Sequence, residues 1–155
     1  TPGTVNQVRG GAYYPTATLQ STANVCCSGR IYLQPYCSET VKIDDSNLPG
    51  GDWIFKLTAD YWTVSGITFQ NSPDSAVVCQ SCASTVWDTI KTINGGDSGF
   101  TLTGDGTTNN TVRNIDSYCH YAPANHGENA DRIAVNLGSG GRNLITGARL
   151  YPHSD

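Results

Sequence analysis

The feature that most constrains this chain is an internal repeat of one short structural unit. Four segments superpose on their apolar or small residues at intervals of 23, 25 and 33 residues: WTVSGITFQN (62–71), STVWDTIKTIN (84–94), NTVRNIDSYC (110–119) and NLITGARLYP (143–152). The superposed positions are Val64/Ile67/Phe69, Trp87/Ile90/Thr92, Val112/Ile115/Ser117 and Ile145/Ala148/Leu150. Self-similarity at such a period indicates a solenoid or another array of repeated units.

Short strands and turns fill each repeat. Second strands are expected at 75–79, 99–103 and 132–137, reached through turn-rich stretches such as NSPD, NGGDSG and NHGENAD. Two or three short strands per repeat, without a helical period, are typical of a solenoid in which each coil pairs with the coil before it. We therefore predict an all-β chain that folds as a right-handed parallel β-helix of roughly five to six coils. An antiparallel β-sandwich is the main alternative, and the scarcity of Leu disfavours a leucine-rich repeat.

The length is consistent with one domain over residues 1–155. Residues 1–60 are less regular and are expected to form an initial coil and cap, with strands at 30–33 and 39–43, whereas residues 61–155 form regular coils. The interval of 33 residues predicts an insertion at 121–129, on one face of the solenoid. Strand alternation at 132–137 places Ile133, Val135 and Leu137 inside, and Arg132, Ala134 and Asn136 outside.

Six cysteines in a polar chain predict a secreted, extracellular protein with disulfide bonds: Cys26, Cys27, Cys37, Cys79, Cys82 and Cys119. Cys79 and Cys82 are spaced to close a small loop in CQSC, and the adjacent Cys26 and Cys27 are expected to pair elsewhere. The complete connectivity stays open, because six cysteines allow about fifteen arrangements. A redox or zinc pair at CQSC is the weaker alternative, since no second CxxC accompanies it.

Composition excludes two classes of partner and suggests one modification. The net charge of −4, with nine scattered basic residues, provides no Lys/Arg cluster for nucleic acid or anionic lipid, and no apolar run is long enough to span a membrane. The start at TPGTVNQ, without Met, is read as a processed mature chain. Asn109-Asn110-Thr111 is a sequon that predicts glycosylation at Asn109.

Candidate chemistry is concentrated in residues 126–155. Asp131 directly precedes one predicted strand, and Asp155 follows 24 residues later, about one coil further along. Because residues one coil apart stack side by side, the two carboxylates are expected to face each other, an arrangement that favours Ca²⁺. Two solvated turn aspartates are the ordinary alternative. Arg132 and Arg149 are candidates for binding substrate carboxylates, and plain surface charge explains them equally well.

The last 95 residues or so resemble polysaccharide lyase family 9, the calcium-dependent pectate lyases with a parallel β-helix fold. The resemblance is carried by TVSGITFQNSPDSAV, NTVRNIDSYCHY, ENADRIAVNL and GGRNLITGARLYPHSD. In words, the family pattern is Ala-Asp-Gly-Phe-Ala-x-Lys-Leu, a Gly-Asn-x-Phe turn and, about one coil later, Asn-Ser-Asp-Asp-Gly-Trp-Asp. Asp131 matches the first aspartate, residues 141–144 approximate the turn, and His153-Ser154-Asp155 matches the start of the aspartate cluster. Arg132 stands where the family prefers Gly, and Asn136 where it prefers Lys.

The resemblance implies that Asp131 and Asp155 hold the catalytic Ca²⁺, and Asn136 joins Arg132 and Arg149 as a candidate for substrate binding. The implied reaction is β-elimination in polygalacturonate, an acidic polysaccharide, with a lysine base located beyond residue 155. Lys42, Lys56 and Lys91 fall outside the 126–155 cluster. We therefore expect an N-terminal portion that further residues or a second chain complete. A non-catalytic carbohydrate-binding β-helix and a β-helix glycoside hydrolase are the alternatives.

Overall fold

Three parallel β-sheets make up the chain. The computed structural model describes residues 1–25, 29–122, 126–127, 130–136 and 138–151. Part of the insertion predicted at 121–129 lies outside the described residues, as do six positions singled out from the sequence: Cys26, Cys27, Leu137, His153, Ser154 and Asp155.

Each sheet collects one strand from each coil. Sheet A contains β1 (Val5–Val8), β4 (Ile31–Pro35), β7 (Trp62–Ser65), β10 (Val86–Asp88), β13 (Thr111–Arg113) and β16 (Leu144–Thr146). Sheet B contains β2 (Gly11–Tyr13), β5 (Val41–Asp44), β8 (Ile67–Gln70), β11 (Lys91–Ile93), β14 (Asp116–Tyr118) and β17 (Arg149–Leu150). Sheet C contains β3 (Leu19–Ser21), β6 (Phe55–Leu57), β9 (Val77–Gln80), β12 (Phe100–Thr103) and β15 (Ile133–Val135).

The sheets define a parallel β-helix with five complete coils and two strands of a sixth among the described residues. Each complete coil passes through sheets A, B and C in that order, and we number the coils 1 to 6 along the chain. The observed register pairs Val64 with Trp87, Trp87 with Val112 and Val112 with Ile145, as the repeat predicts. The predicted fold and coil number are therefore confirmed. Residues 1–60 contribute coils 1 and 2, with three strands in each.

Residues with left-handed backbone conformation turn the chain at the bends. Between sheets B and C they are Asn71, Asn94 and Cys119, with φ of 60°, 54° and 58°. The Asn94 side-chain nitrogen donates to Asn71 Oδ1 at 2.7 Å, which links two coils at their bends. Asn adopts this conformation more readily than most residues, because its short polar side chain makes local hydrogen bonds. Bend positions with positive φ thus account for four of the asparagines in this sequence: Asn71, Asn94, Asn109 and Asn114.

Aromatic rings fill the interior of the middle coils. Trp87 lies 6.0 Å from the ring of Phe55 and 5.0 Å from that of Phe100, and Phe69 lies 5.9 Å from Phe55. The indole nitrogen of Trp87 donates to Thr85 Oγ1 at 2.8 Å, so its polar group is satisfied inside the core. Interior packing of this kind is the main stabilising contribution that parallel coils gain from stacking.

The last coils leave apolar positions uncovered. Ile133 and Val135 pair in register with Phe100 and Leu102, which are fully buried, so the inward direction predicted for these two residues is correct. Val135 is nevertheless 53% exposed, because coil 6 has no third strand among the described residues to cover it.

Cys79 and Cys82 form a disulfide, with Cα atoms 5.8 Å apart, in agreement with the loop predicted at CQSC. The predicted disulfides at Cys37 and Cys119 are wrong, because both residues are exposed free thiols. Cys119 occupies a left-handed bend position after Asn94, and Cys37 (φ 44°) lies in the 3₁₀ turn Tyr36–Ser38, on a different bend. In the described part of the chain, no helix has the length and apolar character needed to cross a membrane.

Candidate functional site

A groove of about 400 Å³ lies on the outer face of sheet C and extends from coil 2 to coil 5. Strands about 4.8 Å apart give it a length of roughly 14 Å over these coils. Two residues predicted from the sequence, Asp131 and Asn136, both line it. The full set of lining residues is Trp53, Asp74, Ser75, Val78, Asp97, Ser98, Thr101, Thr103, Asp131 and Asn136.

One edge of the groove is acidic. Asp74, Asp97 and Asp131 precede the sheet C strands of three successive coils. Burial raises the pKa of Asp97, and the neighbouring charges of Asp74 and, to a smaller extent, Asp131 raise it further against hydrogen bonds from Ser98. Ionisation of Asp97 is therefore costly unless a cation accompanies it.

Asp131 does not occupy the same register as the other two aspartates. The Gly99 amide donates to the carbonyl oxygen of Asp131 at 2.8 Å, so Asp131 stacks on Ser98, one residue closer to the strand than Asp97. Asp131 is exposed, whereas Asp97 is half-buried. Asp131 is therefore the more accessible carboxylate for a ligand.

The floor and the coil 2 end of the groove add polar and aromatic groups. Thr101 Oγ1 is buried and has no hydrogen-bond partner among the described residues. At the coil 2 end, Lys56 Nζ lies 4.5 Å from the centre of the Trp53 ring. An aromatic face and a cation are groups that bind the apolar face of a sugar and a carboxylate, respectively.

Sequence reasoning missed Asp74, Asp97, Trp53 and Lys56. A signal for the two aspartates was present, because both close the turn-rich stretches NSPD and NGGD, 23 residues apart. No comparable signal exists for Trp53 and Lys56, since coil 2 does not match the repeat from which the other coils were recognised.

Arg132 does not point outward beside Asp131, and that prediction is wrong. Its Nε donates to the Tyr151 carbonyl at 2.7 Å and its Nη1 to the Ala130 carbonyl at 3.0 Å. The reason is its register: Arg132 stacks on Gly99, where an added Cβ would overlap Ser117, His120 and Thr92 side-chain atoms. This position faces the corner between sheets B and C.

His120 fills that corner and is completely buried. Its Nδ1 accepts from the Gly95 amide at 3.1 Å, so Nε2 carries the proton of the neutral ring and donates to Thr92 Oγ1 at 3.1 Å. Thr92 donates to Ser117 Oγ, which donates to the Arg132 carbonyl. Burial, and secondarily the Arg132 charge, lower the pKa of His120 to about 4. His120 thus supports the insertion as a neutral structural residue.

Arg149 is engaged on another face. Its guanidinium makes two hydrogen bonds to the Asp116 carboxylate, at 2.5 and 2.6 Å, on sheet B. Arg113 and Asp88 form a similar pair, at 2.8 Å, one bend away. The structure therefore does not bring Arg149 to the groove that holds Asp131, although it was a candidate for binding the same substrate.

Asn109 is exposed and has φ of 57° at a bend between sheets C and A. Its backbone conformation gives a local reason for an asparagine here. Glycosylation of its accessible side chain stays a prediction.

The groove offers oxygen donors of the type that Ca²⁺ prefers, but an incomplete set. Among the described residues, no three His, Cys, Asp or Glu side chains lie close enough together to hold a metal ion. Asp131 can supply one carboxylate, and its expected partner Asp155 lies outside the described residues. Calcium readily takes its remaining ligands from carbonyl oxygens and water.

Comparison with known proteins defines the class of this chain as a right-handed β-helix related to polysaccharide lyases. The chain belongs to the Pel9A-like right-handed β-helix family, whose sequence pattern matches residues 1–155. A curated relative, pectate lyase PEL9 of Emericella nidulans, is 33% identical over 168 residues. The alignment covers 100% of this chain and 40% of that relative, so the chain spans less than half of the relative's length. The resemblance to polysaccharide lyase family 9 is thereby confirmed.

Three solved structures share the fold. Pectate lyase Pel9A has a TM-score of 0.77 at 21% identity, over 95% of this chain and 39% of that one. An alginate lyase from Paenibacillus sp. has a TM-score of 0.78 at 20% identity, over 98% of this chain and 52% of that one. A rhamnogalacturonan lyase has a TM-score of 0.67 at 17% identity, over 97% and 44% of the two chains.

Proposed function

We propose that this chain is the N-terminal part of a secreted pectate lyase that cleaves polygalacturonate by calcium-assisted β-elimination. The observation that carries the proposal is the acidic edge of the sheet C groove, in a chain whose family and curated relative are pectate lyase-like. An acidic edge does not attract a polyanion by itself. A groove of this charge fits such a substrate when a cation bridges the two.

In this proposal Asp131, together with Asp155, would hold a calcium ion. The ion would supply positive charge next to the substrate carboxylate, which would make the C5 proton more acidic. Asn136 lines the same groove at the opposite end of β15 from Asp131 and orients the chain of sugars through its amide group, and Trp53 offers a face for a sugar ring at the coil 2 end. Arg132 holds the bend that presents Asp131. We place the base beyond residue 155, in further residues or in a second chain.

The test is the formation of unsaturated uronide from polygalacturonate, followed by ultraviolet absorbance with calcium and then with a chelator. The 155-residue chain is compared with a longer form that includes the C-terminal coils. We expect a calcium-dependent rise in the longer form, abolished by chelation. The proposal fails if the longer form produces no unsaturated product under any calcium concentration.

A second candidate is a carbohydrate-binding β-helix without catalysis. The aromatic face of Trp53 in the groove, with Lys56 beside it, favours this function, because these groups can bind a sugar ring and a carboxylate without a catalytic base. Retention of this chain on immobilised polygalacturonate, in calcium but not in chelator, would support binding, and the absence of unsaturated product in the same sample would separate it from lyase activity.

A further inference from the structure

A buried carboxylate without partners lies at the bend between sheets B and C in coil 2. Asp45 directly follows β5 and is 1% exposed. Neither of its carboxylate oxygens has a hydrogen-bond partner among the described residues. Because a buried carboxylate is normally paired or bound to a metal, this one needs an explanation.

The surroundings of Asp45 add negative charge. Burial raises its pKa to about 7, and the charges of Asp44 and Asp52 contribute to the shift, without a cationic side chain among the causes. The neighbouring Asp44 is also buried, but its carboxylate is hydrogen-bonded. Its oxygens accept hydrogen bonds from the Ser46 amide at 3.1 Å, from Gln70 at 2.6 Å and from Asn71 at 2.9 Å. Those donors satisfy the Asp44 carboxylate, and none of them reaches the Asp45 carboxylate.

Protonation of Asp45 would remove its buried charge but would not supply its missing hydrogen-bond partners. A neutral carboxyl group removes the charge, but it still has an O–H donor and an acceptor oxygen that need partners. A hard divalent cation would neutralise the charge and bind both oxygens at once. We propose that Asp45 and Asp52 bind a calcium ion in the turn formed by residues 45–52, at a site separate from that of Asp131.

The turn can supply the remaining ligands. Its sequence, DSNLPGGD, contains side-chain oxygens at Ser46 and Asn47 besides the two carboxylates. Since no three acidic, His or Cys side chains cluster in the described part of the chain, the ion takes further ligands from backbone carbonyls and water, as calcium often does. Gly50 and Gly51 have open space around them, and Gly51 has φ of 87°, so the turn tolerates close backbone approach to an ion.

The site connects the turn to the groove. Asp52 immediately precedes Trp53, which lines the coil 2 end of the groove. A calcium ion held by Asp45 and Asp52 therefore fixes the segment that positions Trp53. The inference stands on coil 2 alone and does not depend on lyase activity.

The experiment is a calorimetric calcium titration of chelator-treated protein in four forms: the unchanged chain, Asp45→Asn, Asp131→Asn and the double variant. Asparagine keeps the size of the side chain and removes its charge. We expect the Asp131→Asn form to retain a binding event that Asp45→Asn weakens at least about tenfold and that the double variant lacks. Asp52→Asn, at a partly exposed position, should weaken the same event and guards against a folding defect in Asp45→Asn.

Thermal unfolding gives the second readout. Calcium should raise the unfolding temperature of the Asp131→Asn form, and it should not do so in the double variant, because only the folded chain holds the ion at Asp45. The proposal is overturned if Asp45→Asn binds calcium as the unchanged chain does, or if calcium leaves the unfolding temperature of the Asp131→Asn form unchanged. If the unchanged chain shows the Asp45-dependent event and no event that Asp131→Asn removes, the result counts against Asp131 as the calcium ligand of the proposed function and leaves the site at Asp45 standing.

Discussion

The bends between sheets B and C differ sharply in coils 4 and 5. In coil 4, six residues (94–99) join β11 to β12, whereas in coil 5 fourteen residues (119–132) join β14 to β15. Asn94 opens the short bend and Gly99 closes it. In the long bend the same two register positions hold Cys119 and Arg132.

The comparison shows that the long bend is built on the short one. His120 accepts from the Gly95 amide and occupies the space that Gly99 leaves free, and the Tyr121 amide donates to the Gly95 carbonyl at 2.8 Å. Arg132 fastens the other end of the insertion to backbone carbonyls. The long bend is thus anchored at both ends, and Asp131 lies exposed beside the second anchor, where a ligand can reach it.

His120 anchors the first end of the long bend, and its titration gives the largest expected effect on the free energy of unfolding. The pKa of His120 is about 4 in the folded state, against about 6.5 in an unfolded chain. The unfolded state therefore binds more protons between these values, and stability is retained above pH 6.5 and lost as the pH falls towards 4. Over this pH range the free energy of unfolding should fall by about 3 kcal/mol. Urea unfolding from pH 7 to pH 4 should show it in the unchanged chain.

His120→Gln removes the titrating group and serves as the matched variant. Its stability should fall less over the same pH range, even though it starts lower at pH 7. Asp45 and Asp97 have raised pKa values and act in the opposite direction, so the difference between the two proteins isolates His120. Parallel pH profiles would mean that His120 is not the anchor that the comparison requires.

Asp131 and Asp97 test whether the long bend or the short bend carries the metal chemistry. Asp131→Asn should lower calcium-dependent lyase activity of the longer form by about 10–100-fold, because it removes an accessible ligand. Asp97→Asn should lower activity less and raise stability at neutral pH, since it removes a carboxylate whose pKa is raised first by burial and then by the charges of Asp74 and Asp131. Asp105→Asn, at an exposed bend between sheets C and A, is the control for surface charge. If Asp131→Asn and Asp97→Asn lower the activity equally, the long bend has no special part in metal binding.

The sequence predicted the part of the fold that repeats. Apolar positions from Val64 to Leu150 superpose because stacked coils must bury equivalent positions, and the observed register follows them residue by residue. Coil 1 departs from the pattern, because its interior positions do not repeat buried apolar residues: Asn6 stacks on Leu33, and Leu19 stays exposed.

The candidate site was less predictable for a physical reason. Alternation describes residues within a strand, but Arg132 lies where a bend enters the strand, and there the corner between two sheets determines its direction. The acidic edge depends on residues from three coils, so the cluster within residues 126–155 contains Asp131 but neither Asp74 nor Asp97.

Arg132 anchors the second end of the long bend, and its removal should have a moderate effect on the free energy of unfolding. Arg132→Ala removes the two hydrogen bonds to the Ala130 and Tyr151 carbonyls and should cost about 2 kcal/mol, as charged donors typically contribute 1.5–3 kcal/mol. It should also raise the pKa of His120 towards its usual value, because the Arg132 charge helps to lower it. The His120 ring signals in an NMR pH titration measure that shift directly. An unchanged titration together with an unchanged stability would place Arg132 outside the anchoring role.

The smallest effect concerns the residue that opens the long bend. Cys119 has φ of 58°, a conformation in which asparagine is favoured over most residues, and Asn71 and Asn94 occupy the equivalent positions of coils 3 and 4. Cys119→Asn should therefore stabilise the chain by about 0.5–1 kcal/mol, through lower backbone strain and a side-chain hydrogen bond to Asn94. Cys119→Ala removes the thiol but keeps the strain, so it should bring no gain. If both variants unfold at the same urea concentration, the asparagine positions of the short bends turn the chain without adding stability, and the long bend loses nothing by departing from them.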